Sequence, residues 1–249
     1  MNAAFFEAVR PMFGGSLSQS QVDGFNVIFE AWSKVGNRDI RHLAYILATA
    51  KHETGGTMQP VKETTSGRNP NPSDAKVKEI LTKAWKAGKL PWVKSDYWSS
   101  GWFGRGFVQL TWRDNYVKAG KKLGIDLVSD PSKAMIPEVS ALILIRGMQE
   151  GWFTGMKLSD AGDFLQARRI VNGTDKAGQI ATYANSFLSA LEAAEAASPA
   201  PKPVTPPAPT TPASAPRRGG WLVAALLAIG GVITGLANGG WEWLVSLFT

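Results

Sequence analysis

Residues 198–216 read SPAPKPVTPPAPTTPASAP, almost entirely Pro, Ala, Thr and Ser. Proline fixes φ and lacks an amide donor, so such a run cannot enter the interior of a helix or a central strand, and it reads as an extended, semi-rigid spacer. It divides the chain. A folding domain over residues 1–197, of a size usual for one domain, precedes a Pro-rich linker over 198–218 and a strongly apolar tail over 219–249. The opening MNAAFFEAVRPMF has no basic stretch ahead of a long apolar core, so it does not read as a secretory leader.

Within the domain the hydrophobic period is helical. After Ser18 or Ser20 as cap, Val22, Phe25, Ile28, Phe29 and Trp32 recur at helix spacing. A second helix is expected from about Asp39 to Glu53, with Ile40, Leu43, Ile46, Leu47 and Ala50 on its apolar side and Thr54-Gly55-Gly56 ending it. Ser73 is placed to cap a third helix that stops near Gly88, and further helices are expected at about 113–124, 137–150, 159–171 and 176–196. Residues 91–106, rich in Trp, Gly and Ser, read as an ordered loop, and Phe107 to Leu110 as a short strand. The expected fold is mainly α with a minor β element.

The residue inventory narrows the chemistry. There is no Cys, which removes disulfides, thiol nucleophiles and thiolate metal sites together. Only His42 and His52 are present, which disfavours a His-rich zinc hydrolase site with three protein ligands, and no metal or cofactor is expected. No G-x-S-x-G elbow occurs. Carboxylate chemistry is what remains. The chain carries a net charge of +7, and because Lys202, Arg217 and Arg218 stand against Glu242 beyond residue 197, the domain keeps +5 of it. Such a charge draws a protein toward polyanions. With no basic helix, RNP-like strand or zinc-finger spacing, no nucleic-acid partner is expected.

Cutting a glycosidic bond needs one carboxylic acid to protonate the leaving oxygen and a second carboxylate to act on water or on the sugar. Glu53 stands at the predicted end of a helix, where the negative end of the macrodipole disfavours an ionised carboxylate. The glycines after it let a ligand approach the backbone. A Glu at a helix end is by itself more often a solvated surface residue. Glu63 follows ten residues later in a segment placed to form an opposite wall, although by itself such a residue is more often a surface Glu paired with Lys62 or another Lys.

Gly104-Arg105-Gly106-Phe107-Val108-Gln109-Leu110-Thr111 is less generic. As an alternating strand it places Gln109 and Thr111 on one face, where they can hydrogen-bond a sugar or hold a water. Asn115 and Tyr116 follow on the next helix, and Arg105 is a candidate partner for a catalytic carboxylate. A turn capped by Thr111 explains the glycines and Thr111, but leaves Gln109 and the Asn115-Tyr116 pair without a reason.

Taken in order, His52-Glu53-Thr54-Gly55-Gly56, the Gly104–Thr111 segment, Asn115-Tyr116 and Val171-Asn172-Gly173 resemble the glycoside hydrolase family 19 chitinases, and most of all the phage endolysins of that family. The likeness spans nearly all of residues 1–197. It implies a lysozyme-like, two-lobed helical domain and inverting hydrolysis. It places the general acid on Glu53 and the general base on Glu63, with Thr111 positioning the attacking water. Inversion implies carboxyls roughly 6.5–9.5 Å apart. Gln109, Asn115, Tyr116 and Asn172 match positions that line the substrate cleft. His52, Trp102 and Arg105 complete the expected substrate side, Trp102 being preferred for sugar stacking over Trp85, Trp92, Trp98 and Trp112. Phe103 and Thr174 depart from the family's usual Tyr and Gly. The long segment 64–100 leaves Glu79 and Asp96 as alternatives for the base.

The resemblance implies peptidoglycan glycan strands as substrate, with chitin as the nearest rival. Lytic transglycosylation by Glu53 alone and a non-catalytic wall-binding or membrane-perturbing protein are the further alternatives. The tail supplies a second partner, lipid. Trp221–Asn238 is an uncharged run of 18 residues, at the lower limit for a membrane-spanning helix. Its competitor is an interfacial helix or hairpin broken at Gly239-Gly240. Arg217 and Arg218 ahead of the run predict the domain on the cytoplasmic side of a host membrane before it reaches the wall.

Overall fold

The computed structural model describes residues 1–63, 71–91 and 93–198. Seven helices and one two-stranded sheet are found among them: α1 (Ala3–Val9), α2 (Gln19–Val35), α3 (Ile40–Glu53), β1 (Val61–Lys62), α4 (Asp74–Lys86), β2 (Arg105–Gly106), α5 (Arg113–Leu123), α6 (Pro137–Glu150) and α7 (Ala177–Ala196). The fold is mainly helical with a small sheet. Trp92 and the expected linker and tail, apart from Ser198, lie outside the described residues.

Helix α2 begins where Ser18 and Gln21 satisfy each other. The Ser18 hydroxyl accepts from the Gln21 amide at 3.2 Å, and the Gln21 side chain accepts from the Ser18 amide at 2.8 Å. It buries Gly24, Phe25, Ile28 and Ala31, a stripe at helical spacing. Helix α3 is different. Every residue from Leu43 to Ala50 is buried, so it is the central helix, enclosed all round by neighbours that include α6 and α7. Phe5, Phe25, Phe29 and Phe187 close the core edge-to-face and stacked, with Phe5 and Phe25 centroids 5.5 Å apart at 79°.

Gly24 marks the tightest approach. A Cβ built there would lie 1.6 Å from the Met58 carbonyl oxygen, which is backbone and cannot swing aside. Gly24→Ala is therefore expected to destabilise the protein by about 2 kcal/mol or more despite the better helix propensity of alanine. A urea midpoint equal to or above that of the parent would refute this.

Two sequence expectations are corrected here. The helix expected over 159–171 is instead a pair of 3₁₀ turns, Leu158–Asp160 and Gln166–Ile170. Side chains in this stretch take over backbone donors: Asp160 accepts from the Lys157 amide at 2.9 Å and Asp163 from the Gln166 amide at 2.7 Å. That competition prevents a continuous helix. The strand expected over Phe107–Leu110 is a tight turn, and the strand residues are Arg105 and Gly106, paired antiparallel as Val61 with Gly106 and Lys62 with Arg105. Gly106 turns the chain at φ +86°, the Phe107 amide is given to the buried Ser140 hydroxyl at 2.7 Å, and Gln109 sits at φ +53°.

A second, smaller hydrophobic cluster of Val77, Leu81, Trp98 and Phe103 joins α4 to the loop 93–103. Trp85 packs against it and donates its indole N–H to the Val93 carbonyl at 3.1 Å. This small lobe faces the main helical body, and the candidate site lies where they meet.

Candidate active site

Glu53 is the last residue of α3. Its Oε1 accepts from Arg168 Nη1 at 2.8 Å, and the two side chains are only 17% and 4% exposed. Arg168 is held in turn by donating Nε to the Asp175 carbonyl at 3.0 Å. A guanidinium fixed at two points orients the carboxylate. Two turns back on α3 lies Tyr45, whose buried hydroxyl has no hydrogen-bond partner among the described residues. Burial pushes its ionisation up, with Arg168 opposing and Glu53 reinforcing. His52, half-buried beside Glu53, is shifted down by burial, against the opposing pull of Glu53.

Beyond α3 the chain is turned by Thr54, whose hydroxyl donates to the Ala50 carbonyl at 2.7 Å and accepts from the Met58 amide at 3.1 Å. Gly55 and Gly56 adopt φ +60° and +83°, which a side chain would strain. This turn leads into β1 and Glu63. The Glu63 carboxylate is held on both oxygens: the Tyr97 hydroxyl donates to Oε1, and the Gly104 amide donates to Oε2 at 2.8 Å. Burial and the adjacent Glu63 charge push Tyr97 ionisation well up, so it remains a neutral donor.

The polar wall is built by the turn after β2. A Cβ on Gly104 would lie 2.7 Å from Gln109 Oε1 and 3.2 Å from the Thr111 hydroxyl, so glycine is what lets both side chains close over this point. Gln109 donates to the carbonyls of Val61 at 3.0 Å and Gly106 at 3.1 Å. The Thr111 hydroxyl donates to the Gln109 carbonyl at 2.8 Å, and Asn115 donates to the Thr111 carbonyl at 2.8 Å. Trp112, at φ +71°, provides no side-chain cap for α5 and is 51% exposed, with the Tyr97 ring 4.7 Å away. A bulky residue in that backbone region is strained.

A cleft of about 660 Å³ gathers these groups. Glu53, Gln109, Thr111, Asn115 and Asn172 line it, together with Trp112, Phe153 and, from the small lobe, Lys94, Ser95 and Tyr97. Glu63 is not among the lining residues; Tyr97, which is, donates its hydroxyl to the Glu63 carboxylate. Trp102, Arg105 and Tyr116 are placed elsewhere, beneath the wall. Arg105, 1% exposed, pairs with Asp74 at 2.8 Å and not with a carboxylate of the cleft; it also donates to the Gly101 carbonyl and the Tyr116 hydroxyl, each at 2.9 Å. Burial pushes Asp74 up, but Lys62 and Arg105 outweigh it and hold the carboxyl below its ordinary range. Burial pushes Tyr116 up to about 12, Arg105 opposing. Trp102 is partly buried against the Tyr116 ring at 5.3 Å. Glu79 is exposed and paired with Lys76, and Asp96 accepts from the Ser99 amide; neither lines the cleft. Among the described residues no cluster of His, Asp and Glu could hold a metal ion.

Sequence reasoning did not single out Arg168, Tyr97 or Lys94. Arg168 lies 115 residues from Glu53, and Tyr97 and Lys94 fall in a loop without periodicity, so no local signal announces them.

Residues 24–145 match the family model of class I chitinases, glycoside hydrolase family 19. Among solved structures, chitinase C from Streptomyces griseus HUT6037 is similar at 21% identity over 78% of each chain, with a TM-score of 0.48. A bacterial family 19 chitinase is similar at 22% identity over 77% of this chain and 93% of its own, with a TM-score of 0.49. Among curated proteins none matches the sequence. The matched segment runs from within α2 through Glu53, Glu63 and the Gln109–Asn115 wall into α6; over that segment the chain is similar to glycoside hydrolase family 19, and the protein is a glycoside hydrolase.

Proposed function

We propose that the protein is an endolysin that hydrolyses β-1,4 bonds between amino sugars of bacterial peptidoglycan, with inversion, to lyse a host cell. The observation that carries the reading is the Glu53–Arg168 pair opening onto a cleft walled by Gln109, Thr111, Asn115 and Asn172. Neutral amides and hydroxyls suit the hydroxyl and N-acetyl groups of a sugar strand, and Trp112 offers a stacking face.

In this mechanism Glu53 is the general acid. It gives its proton to the glycosidic oxygen as the C1–O bond breaks, while Arg168 keeps the carboxyl aimed. Glu63 is the general base. Tyr97 and the Gly104 amide hold its two oxygens, each of which keeps a second lone pair for a proton from water. That water, aligned with help from Thr111, attacks C1 from the opposite face. The product has a new reducing end of inverted configuration, Glu53 is left ionised and Glu63 protonated, and proton exchange with solvent resets both.

Hydrolysis of chitin is the second reading, favoured by the class I chitinase description of the matching family model. The domain's charge of +5 and the apolar tail favour the wall of a bacterium, with the tail holding the enzyme at the host membrane from the cytoplasmic side. Digestion of purified peptidoglycan, with products read by mass spectrometry, tests the reading: new reducing ends support it, anhydro ends would make the enzyme a transglycosylase, and cleavage of chitin oligomers alone would make it a chitinase. Fractionation of cells tests the tail, because a full chain as soluble as one ending at Ala197 would exclude anchoring.

A further inference from the structure

We propose that Lys94 is a specificity-determining residue that reads a negatively charged substituent on the sugar polymer, so that the cleft favours an anionic glycan over a neutral one. This rests on the reading of the cleft as a wall-glycan hydrolase site.

Lys94 lines the cleft from the small lobe, and Gln109 and Thr111 line it from the turn after β2. Its backbone is pinned on both sides. The Val93 carbonyl accepts the Trp85 indole N–H at 3.1 Å and the Val93 amide donates to the Leu90 carbonyl at 3.1 Å, while Tyr97 is tied to Glu63. The exposed ammonium is thus presented from a fixed point of the rim.

The charge balance of the site makes this residue distinctive. Among the described residues that line the cleft, only Glu53 and Lys94 are charged. Glu53 already has its counter-charge in Arg168. Lys94 makes no ion pair among the described residues, and the acids of its own lobe are engaged elsewhere: Asp96 with Ser99, Asp74 with Lys62 and Arg105, Glu79 with Lys76. A neutral strand of N-acetyl sugars gains nothing specific from such a cation. A strand whose alternate sugars bear a lactyl carboxyl, free or extended by an acidic peptide, gains a charge-assisted contact at the rim.

The test uses the full chain on one polymer in two forms: isolated peptidoglycan, and the same material with its carboxyls amidated. The unsubstituted protein is expected to show the higher kcat/KM on the anionic form. Lys94→Ala should lower the ratio of the two kcat/KM values about threefold to fivefold, the range of an exposed charge pair, and Lys94→Glu about tenfold. Lys94→Arg should preserve the ratio, and added salt should shrink it. Lys89→Glu reverses an exposed charge of the same lobe away from the cleft lining, and should leave the ratio near that of the parent. A ratio unmoved by Lys94→Glu, or moved equally by Lys89→Glu, would overturn the assignment and leave the hydrolase reading intact. Failure of the unsubstituted protein to cut either form would instead bring down the wall-hydrolase reading and this proposal with it.

Discussion

Replacing Glu53 by Gln is expected to lower kcat/KM for glycan cleavage about 10³-fold or more, within the range that a positioned proton donor contributes. The substitution is nearly isosteric. A glutamine oxygen can still accept from Arg168 Nη1, so the side chain keeps its place at the end of α3, but it carries no proton to give to the leaving oxygen. Arg168, 4% exposed, loses its counter-charge and retains its bond to the Asp175 carbonyl. The expected loss of stability is about 1–3 kcal/mol, the range for a hydrogen bond to a charged group. Rates of reducing-end release and a thermal melt on the same sample separate the two effects. A folded Glu53→Gln protein with more than about a tenth of parental activity is incompatible with a general acid at this position.

Arg168→Ala is expected to be the most destabilising single change at the site, by about 3 kcal/mol, out of a total that for a domain of this kind is about 5–15 kcal/mol. Truncation removes the counter-charge of Glu53 and the donor to the Asp175 carbonyl, and leaves a carboxylate that is only 17% exposed. Removing one member of a buried pair is costly because the other is left without compensation. The partial exposure of Glu53 lets water relieve some of that, which places the expectation at the low end. Activity falls as well, because the carboxyl is no longer aimed. Arg168→Lys should lie between, since an ammonium lacks the planar fork that reaches the carboxylate and the carbonyl together. The order parent, Arg168→Lys, Arg168→Ala in melting temperature, with a parallel order in kcat, is the expected result; a change below about 1 kcal/mol for Arg168→Ala would show a pair no stronger than a surface one.

The helices that carry the site were legible because their signals are local. The Ser18–Gln21 cap, the Asp39 side chain accepting from the Arg41 amide at 2.9 Å, and the Ser73 cap of α4 all stand where the sequence puts a capping residue ahead of an apolar stripe. Helix α6 spans Pro137–Glu150, matching the boundary set by Pro137 and Gly151. Over 159–171 the apolar spacing suggested a helix, but Asp160, Asp163 and Gln166 bind backbone donors first, a competition that periodicity does not register. Between Val108 and Thr111 the alternation of apolar and polar residues arises from a tight turn: Val108 and Leu110 are buried by the core while Gln109 reaches over Gly104.

The sequence by itself determined the helical class, and with no Cys and two His it pointed to carboxylate chemistry and named Glu53 and Glu63 as candidates. Each of these follows from composition or from contacts within a few residues, which a linear pattern records. Only the tertiary structure decided the partners: Arg168 for Glu53, Tyr97 and the Gly104 amide for Glu63, Asp74 for Arg105, and Trp112 in place of Trp102 at the cleft surface. The physical reason is that hydrogen bonds and ion pairs depend on distances of a few ångströms between atoms whose residues are 31 to 115 positions apart, and those distances exist only once α3, the Gln166–Ile170 turn and the small lobe have packed around a common core.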